Sequence, residues 1–344
     1  MQSDLQINVS VQGRGNVLVK KGTTLLELKE SLRLEEEPDV PIVGALYNNR
    51  IMGLEYPLNR DCSVKYLTTR SEEGADIYRR SLSVLLNAAF IDCSAGQETL
   101  KIEHSLNKGY FFSFIDRKPL TGELVKRIEE RMRDFVSRDL PFEKYEIERE
   151  DALGIFRKIG AWDRYYLLKY DDRAKIILYK FRECYNLAQG PLVPHTGYLR
   201  IFSLVHYPPG LVLAFPDTEK PETLPPRIEQ KKLFQIYSEH REWSKILDVS
   251  SAGKLNRLII KGKINDLIWV SEGLHEKKIA QIADIITRNA KTKRIVMLAG
   301  PSSSGKTTFA KRLIIQMGDG IVVDSLLGLL AHLLSYDGRS DSSW

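Results

Sequence analysis

The chain has 344 residues, of which 43% are hydrophobic and 28% are charged. These values are typical of globular proteins and exclude collagen-like, coiled-coil and disordered chains, while the length predicts two or three domains of about 100–200 residues. No run of about 18 apolar residues occurs, and the first residues lack the basic and apolar blocks of a signal peptide. We therefore expect a cytoplasmic protein with no membrane partner.

The net charge of +6 is unevenly distributed along the chain. Residues 251–312 contain thirteen Lys or Arg against four Asp or Glu, so this segment carries +9 and the rest carries −3. Such a segment predicts an anionic partner, although a solvated basic face would give the same pattern. The three cysteines are far apart, which excludes a disulfide framework and a four-thiolate zinc site.

Residues 1–69 predict a small α+β domain. Apolar residues alternate over 5–11, as in a half-buried strand, and a glycine turn at 12–16 leads into a second strand. Thr24 is a suitable N-cap for a helix over 25–32. Further short strands are predicted at 43–46 and 63–68.

Residues 70–215 predict a second α+β domain, and residues 216–229 a linker. Helices are expected at 78–89, after Thr121, and at 150–159 because their apolar residues recur every three or four positions. Strands are expected at 110–115, 165–169, 176–180 and 198–206. The segment 216–226 contains four prolines, which favour an extended boundary.

Residues 230–344 predict the start of an α/β P-loop NTPase domain. Helices are expected at 231–240 and 274–289, and possible strands at 246–250 and 267–271. The continuous apolar run at 294–299 predicts a buried parallel strand. The loop that follows it at 300–308 has the pattern G-x-x-x-x-G-K-T and leads into another apolar segment of helical character.

This loop is the strongest chemical signal in the sequence. Its glycines allow backbone N–H groups to converge on phosphate oxygens at a helix N-terminus. The lysine would reach the β- and γ-phosphates, and the first threonine hydroxyl would ligate magnesium. We therefore predict ATP and Mg²⁺ as ligands. The candidate residues are Gly300, Ser302, Ser303, Ser304, Gly305, Lys306 (also the catalytic candidate), Thr307 (also the Mg²⁺ ligand) and Thr308.

Only 44 residues follow Gly300, whereas a βαβ unit alone needs about 30. They predict one strand at 320–324 and one leucine-rich helix at 326–334. Asp324 is a second candidate magnesium ligand, and a helix N-cap is an equally good interpretation. We expect a kinase-type domain that is shortened.

Residues 5–206 resemble the N-terminal half of threonyl-tRNA synthetases. The motifs lie in the same order: a helix at 78–86 similar to H-S-x-x-H-L-L, a strand entry at 102–112, a segment at 140–152, and a loop at 186–197 similar to D-L-C-R-G-P-H-V-P-S-T-G. The resemblance implies a ubiquitin-like β-grasp (TGS) domain at 1–69 and a domain similar to the synthetase editing domain at 70–215.

The residues that the resemblance would make hydrolytic are replaced. The family uses two His, a Cys and another His to hydrolyse mischarged tRNA, and the matching positions here are Arg80, Val84, Ala188 and Leu192. Because these side chains neither ligate a soft metal nor relay protons as His does, we predict no editing and no zinc. His195 lies three residues beyond the last matched position and is interpreted as a turn residue.

The order of the three blocks, together with the loop at 300–308, resembles bacterial uridine kinase-like proteins. That resemblance implies transfer of the γ-phosphoryl group of ATP to a nucleoside or sugar hydroxyl, with this chain weak or inactive because the family's acidic acceptor-side element is not found. The alternative is a non-catalytic RNA- or ligand-binding module derived from threonyl-tRNA synthetase; an inactive fragment is a third reading. RNA remains open as a partner, although the basic excess lies outside residues 1–215 and the aromatic run 110–112 alternates like a strand core.

Overall fold

In the computed structural model, the described residues are 5–34, 37, 39–94, 99–106, 108–114, 119–226, 229–292 and 295–318. The chain divides into two compact units, Met1–Arg257 and Leu258–Trp344. Within the described part of the chain, no helix combines the length and the apolar character needed to cross a membrane.

The first unit begins with a five-stranded sheet that carries one helix. The strand order is β2-β1-β5-β3-β4, with β1 and β5 parallel and every other pair antiparallel. Thr24 and Glu27 form a capping box at the start of the helix, whose Leu25 and Leu28 are fully buried. This is the expected β-grasp arrangement. Its elements are β1 (Gln6–Val11), β2 (Gly15–Lys20), α1 (Leu25–Ser31), β3 (Ile42–Tyr47), β4 (Arg50–Met52) and β5 (Cys62–Thr68).

A second α+β region follows, with two antiparallel sheets in the orders β11-β12-β7-β6 and β10-β9-β8. Its helices are α2 (Glu72–Ser94), α3 (Gly122–Ser137), α4 (Arg149–Lys158) and α5 (Trp162–Lys169). Its strands are β6 (Lys101–Ser105), β7 (Gly109–Ser113), β8 (Glu143–Glu148), β9 (Lys175–Phe181), β10 (Cys184–Leu187), β11 (Ser203–Tyr207) and β12 (Gly210–Ala214).

The core of this region is built around α2 and α3. Leu82 and Leu85 of α2 and Ile128 and Phe135 of α3 are inaccessible to solvent and belong to one apolar cluster. Tyr110 of β7 is partly buried against Phe215, whereas Phe111 and Phe112 of the same strand are core residues, at most 1% exposed. They are therefore not available to stack on nucleic acid bases.

The first unit continues through two further helices, α6 (Lys231–Ile246) and α7 (Ala252–Ile260), the second of which crosses the division at Arg257. Helix α6 lies on the four-stranded sheet, where the Tyr237 ring stacks on His104 with 3.9 Å between ring centroids. Phe234 meets Phe111 edge-on at 5.1 Å. Residues 216–229 thus lie within the first compact unit, and the predicted domain limits stay a prediction.

The second unit has two described helices, α8 (Ile264–Arg288) and α9 (Lys306–Met317). They pack through Ile279, Ala283 and Leu313, all of which are buried. Arg312 of α9 also forms an ion pair with Glu276 of α8 at 2.8 Å. The predicted strand at 320–324, the helix at 326–334 and Asp324 lie outside the described residues.

Several predicted strands are wrong. Residues 165–169 and 267–271 are helical, and residues 246–250 are the end of α6 and the turn after it. Short apolar runs do not distinguish strand from helix by periodicity, and in α5 the buried pair Tyr165 and Leu168 is spaced for a helix face. The N-terminal α+β class is confirmed, whereas an α/β P-loop domain is not shown.

The predicted strand before the loop at 300–308 is also absent. Residues 295–299 are not assigned to a strand, and all of them are exposed, Met297 at 87%. A buried parallel strand requires neighbours that satisfy its backbone N–H and C=O groups and cover both faces. No strand among the described residues pairs with this run.

Candidate functional site

The fold brings together the four positions that the family resemblance would make hydrolytic. Arg80 and Val84 project from α2, and Ala188 and Leu192 lie in the segment after β10. Val84 is 1% exposed and Leu192 is 2% exposed, and Ala188 packs against the same apolar cluster. The structure therefore places core side chains where an editing pocket would need polar ones.

Arg80, the polar member of the four, is bonded to the turn at 190–191. Its Nη1 donates a hydrogen bond to the carbonyl oxygen of Pro191 at 2.9 Å. A Cβ atom added to Gly190 would lie 2.8 Å from the same nitrogen, so the guanidinium lies directly against this turn. Among the residues described, no group of three His, Cys, Asp or Glu side chains could hold a metal ion. The absence of zinc and of editing stays a prediction, which the side-chain chemistry of these four positions supports.

A second site is a cleft of about 620 Å³ between the β-grasp region and the end of α3. One wall comes from the segment before β3, another from α2 and α3, and the third from the loop before β11. The charged and aromatic side chains that line it are Asp39, Tyr78, Arg133, Asp139, His195, Tyr198 and Arg200.

The wall that carries His195 is held in place by Asp139, the second residue beyond α3. Asp139 has a left-handed backbone with φ of 50°, and its carboxylate accepts hydrogen bonds from His195 Nδ1 and, at 2.7 Å, from the Gly197 amide. A Cβ atom on Gly197 would overlap this carboxylate, so glycine is required there. Thr196 adds two buried bonds, donating to Phe135 O at 2.6 Å and accepting from the Leu140 amide at 2.9 Å.

The floor of the cleft is fixed by Tyr78. Its hydroxyl donates to the carbonyl oxygen of Ile201 at 3.1 Å and accepts from the amide of the same residue at 2.9 Å. Burial raises the pKa of Tyr78, because the phenolate would lose its hydration. The side chain is therefore a neutral structural hydroxyl at physiological pH.

The loop at 300–308 folds back on itself. Ser303 and Gly305 have positive φ values of 61° and 76°, and Lys306 Nζ donates to the carbonyl oxygen of Pro301 at 2.5 Å. A Cβ atom on Gly300 would lie 3.0 Å from Ser304 Oγ and 3.5 Å from Lys306 Cδ.

Of the predicted loop residues, the structure thus brings Gly300, Ser304 and Lys306 together. The remaining five predicted residues are exposed and lie in the loop or in the first turn of α9: Ser302, Ser303, Gly305, Thr307 and Thr308. Their roles toward ATP and Mg²⁺ stay predictions.

The sequence did not reveal the residues of the cleft. They come from segments as far apart as Asp39 and Arg200, and no spacing rule connects them. The sequence predicts that His195 is a turn residue. It does precede a 3₁₀ turn at Thr196–Tyr198, and its ring also pairs with Asp139 and faces the cleft.

Comparison with known proteins gives similarity to threonine–tRNA ligases. The chain is 32% identical to that of Desulforamulus reducens over 185 residues, 28% identical to that of Thermotoga neapolitana over 192 residues, and 30% identical to that of an Azoarcus species over 158 residues. These matches cover 46–54% of this chain and 25–29% of each ligase, so the chain spans less than a third of the length of these relatives. No protein-family model matches.

These relatives support a module derived from threonyl-tRNA synthetase rather than a nucleoside kinase. They support a threonyl-tRNA synthetase-like domain over about half of the chain, in agreement with the expected N-terminal α+β domains. Nothing in the comparison supports a uridine kinase-like protein, and the predicted nucleoside kinase is wrong: the curated relatives are threonine–tRNA ligases. The motif at 300–308 is not sufficient to predict a kinase, because such a motif indicates a phosphate contact and does not specify a reaction.

Proposed function

We propose that residues 5–215 are a non-catalytic module, derived from the threonyl-tRNA synthetase architecture, that binds structured RNA of the tRNA type. The observation that carries this proposal is the environment of Arg80, Val84, Ala188 and Leu192, the four positions that the resemblance to synthetases would make hydrolytic. Val84 and Leu192 are buried in the core, and Arg80 is bonded to the adjacent turn. The relatives are named for their action on tRNA, which supports RNA as the ligand.

RNA binding and ester hydrolysis require different side chains. Ester hydrolysis needs a positioned base or a metal-bound water, and aliphatic side chains provide neither. Binding of an RNA surface depends instead on phosphate contacts and shape, which a folded domain keeps after its hydrolytic residues are lost. Because residues outside 251–312 carry a net charge of −3, local arginines rather than a broad basic surface would make these contacts.

The proposal is tested with the full chain in two assays. In a mobility-shift titration, we expect a threonine-specific tRNA to bind more tightly than a DNA duplex of equal charge, with an affinity that falls as salt is raised. In a deacylation assay with the same tRNA carrying a non-cognate amino acid, we expect no rate above the uncatalysed reaction.

Either of two results would contradict the proposal. One is the absence of any preference for tRNA over the duplex. The other is deacylation that Arg80→Ala or Leu192→Ala abolishes, with Arg138→Ala as the matched control, since Arg138 is exposed and pairs only with Asp134 among the described residues.

A second function, triphosphate binding by the loop at 300–308, is favoured by one specific observation. The Lys306 ammonium lies inside the curl of the loop and contacts the Pro301 carbonyl, so a phosphate oxygen could replace that carbonyl without moving the helix. Binding of this kind implies no transfer reaction. Its test is the loss of Mg-ATP binding when Lys306 is replaced.

A further inference from the structure

The residues that line the cleft between the β-grasp region and α3 include neither the four positions matched to the hydrolytic residues nor any residue of the loop at 300–308. Its volume of about 620 Å³ lies within the range of small-molecule sites, roughly 300–1,000 Å³. A bare phosphate or a simple carboxylate would occupy a small part of this space. The side chains that line the cleft therefore indicate which larger molecule is complementary to it.

Arg200 supplies the available positive charge. Its Nε donates to the carbonyl oxygen of Gly197 at 3.2 Å, and no acceptor for its two terminal nitrogens exists among the described residues. Arg133, by contrast, already donates to Phe202 O at 2.6 Å and to Glu129 at 3.0 Å. Because a guanidinium presents paired donors in one plane, it matches two oxygens of a phosphate. Arg200 is thus the anion-binding group of the cleft.

His195 is oriented by its partner. Asp139 accepts from Nδ1, so the Nε2 atom on the opposite side of the ring points away from that carboxylate. The Gly197 amide also donates to the Asp139 carboxylate and helps to hold it in place. The imidazole therefore offers one nitrogen to a ligand at a fixed position.

Asp39 makes the cleft less favourable for a ligand that carries only negatively charged groups. This carboxylate lines the same cleft and has no partner among the described side chains. It would repel a second negative charge close by and accept hydrogen bonds from hydroxyl groups, as carboxylates do from ribose. The Tyr198 ring, which meets the His195 ring edge-on at 4.6 Å, adds an aromatic wall.

We propose that this cleft binds a nucleotide, with the phosphate on Arg200, ribose hydroxyl groups on Asp39 and the base against Tyr198. The proposal rests on the proposed function, binding without hydrolysis, and adds the ligand class and the place where it binds. The ligand is either a free mononucleotide or the terminal nucleotide of an RNA, which share this chemistry.

The test is calorimetric titration of the full chain with adenosine 5′-monophosphate. The Lys306→Ala variant is used throughout, so that phosphate binding at the loop does not contribute. We expect one saturable site whose affinity falls at least tenfold with Arg200→Ala and less than twofold with Arg138→Ala, an exposed arginine just beyond α3 that does not line the cleft. The absence of saturable binding, or equal losses in the two arginine variants, would overturn the proposal.

Two further titrations separate the alternatives. Inorganic phosphate should bind at least tenfold more weakly than the nucleotide, and equal affinity would overturn the nucleotide assignment. Competition with an RNA oligonucleotide that ends in adenosine distinguishes the two sources of the ligand. The oligonucleotide displaces the mononucleotide if the natural ligand is an RNA terminus, and it fails to displace it if the natural ligand is a free nucleotide. Absence of mononucleotide binding with tRNA binding intact would reject the cleft alone, whereas loss of tRNA preference with mononucleotide binding intact would reject the RNA module alone.

Discussion

Lys306 has a defined position in its loop, but this position does not specify a reaction. Its ammonium is held in the loop by the Pro301 carbonyl, and the loop turns on Ser303 and Gly305, whose φ values are positive. Arg80 is also fixed by a local contact, since it donates a hydrogen bond to the carbonyl oxygen of Pro191. It lies at a position that the resemblance to synthetases would make hydrolytic. For single residues such as these, the chemistry of the side chain limits the reactions in which it can take part.

Replacement of Lys306 by Ala is expected to weaken Mg-ATP binding by about 10- to 150-fold. The loss follows from removing charge-assisted contacts to phosphate, which contribute roughly 1.5–3 kcal/mol. Fluorescence or calorimetric titration measures the change. Lys311→Ala, further along α9, is the control and should leave the affinity within twofold; equal ATP affinity of the Lys306 variant and the parent would exclude this loop as the site.

At the scale of elements, α6 is attached to the four-stranded sheet largely by aromatic stacking. His104 of β6 lies between Phe111, at 5.2 Å, and Tyr237 of α6, at 3.9 Å. Burial lowers the pKa of His104, assisted by the positive charge of Arg241. These effects outweigh the hydrogen bond between Nδ1 and Ser105 O and the nearby charge of Glu103, both of which raise the pKa. The contact between α6 and the sheet is thus strongest while the ring is neutral.

This contact should make stability depend on pH in a defined direction. Because the folded pKa of His104 lies below the unfolded value of about 6.5, the unfolded state binds the proton more readily. The contribution is therefore fully present above about pH 6.5 and is lost as pH falls towards the folded pKa. We expect the free energy of unfolding, measured with urea, to fall more between pH 8 and pH 5.5 in the parent than in His104→Phe, which keeps an aromatic ring.

His275→Gln provides the comparison for that experiment, since His275 is exposed on α8 and stacks on no ring among the described residues. Its pH dependence should match that of the parent protein. If His104→Phe and the parent lose the same free energy, burial of the His104 ring does not contribute to the pH dependence.

For the whole molecule, the two compact units differ in how well their apolar residues are covered. The first unit contains three sheets and three of the four buried clusters, whereas the described part of the second buries only Ile279, Ala283 and Leu313 in its cluster. The run 295–299 is exposed and unpaired within the described chain. Local unfolding therefore requires less free energy there than in the first unit.

Limited proteolysis is expected to cut first within residues 290–305 and to leave a resistant fragment that contains residues 5–206. Chymotrypsin is suitable because Met297 and Leu298 are 87% and 46% exposed, and mass spectrometry identifies the fragments. Met297→Ser and Leu298→Ser together should slow this cut without changing the stability of the resistant fragment. Initial cleavage inside residues 5–206 would show that the first unit is the less stable one.

The sequence alone determined those features that depend on neighbouring residues in the chain. The Thr24 cap of α1, the amphipathic pattern of α3 and the tight loop around Gly305 follow from local geometry, and the structure contains all three. The order of motifs that resembles threonyl-tRNA synthetases is also a property of the sequence, and the relatives support it. The loss of hydrolytic side chains stays a prediction, which rests on the chemistry of the residues at the matched positions.

Only the tertiary structure decided whether apolar runs became strands and which distant side chains met. Residues 295–299 are strand-like in sequence and remain unpaired in the described structure, because a strand is completed by partners that its own residues do not specify. The cleft residues Asp39, Arg133 and Arg200 are separated by up to 161 positions, and they meet because the β-grasp strands β3 and β5 pack against α2, which also packs against α3. Their convergence depends on long-range packing, which is why no local pattern in the sequence indicated the cleft.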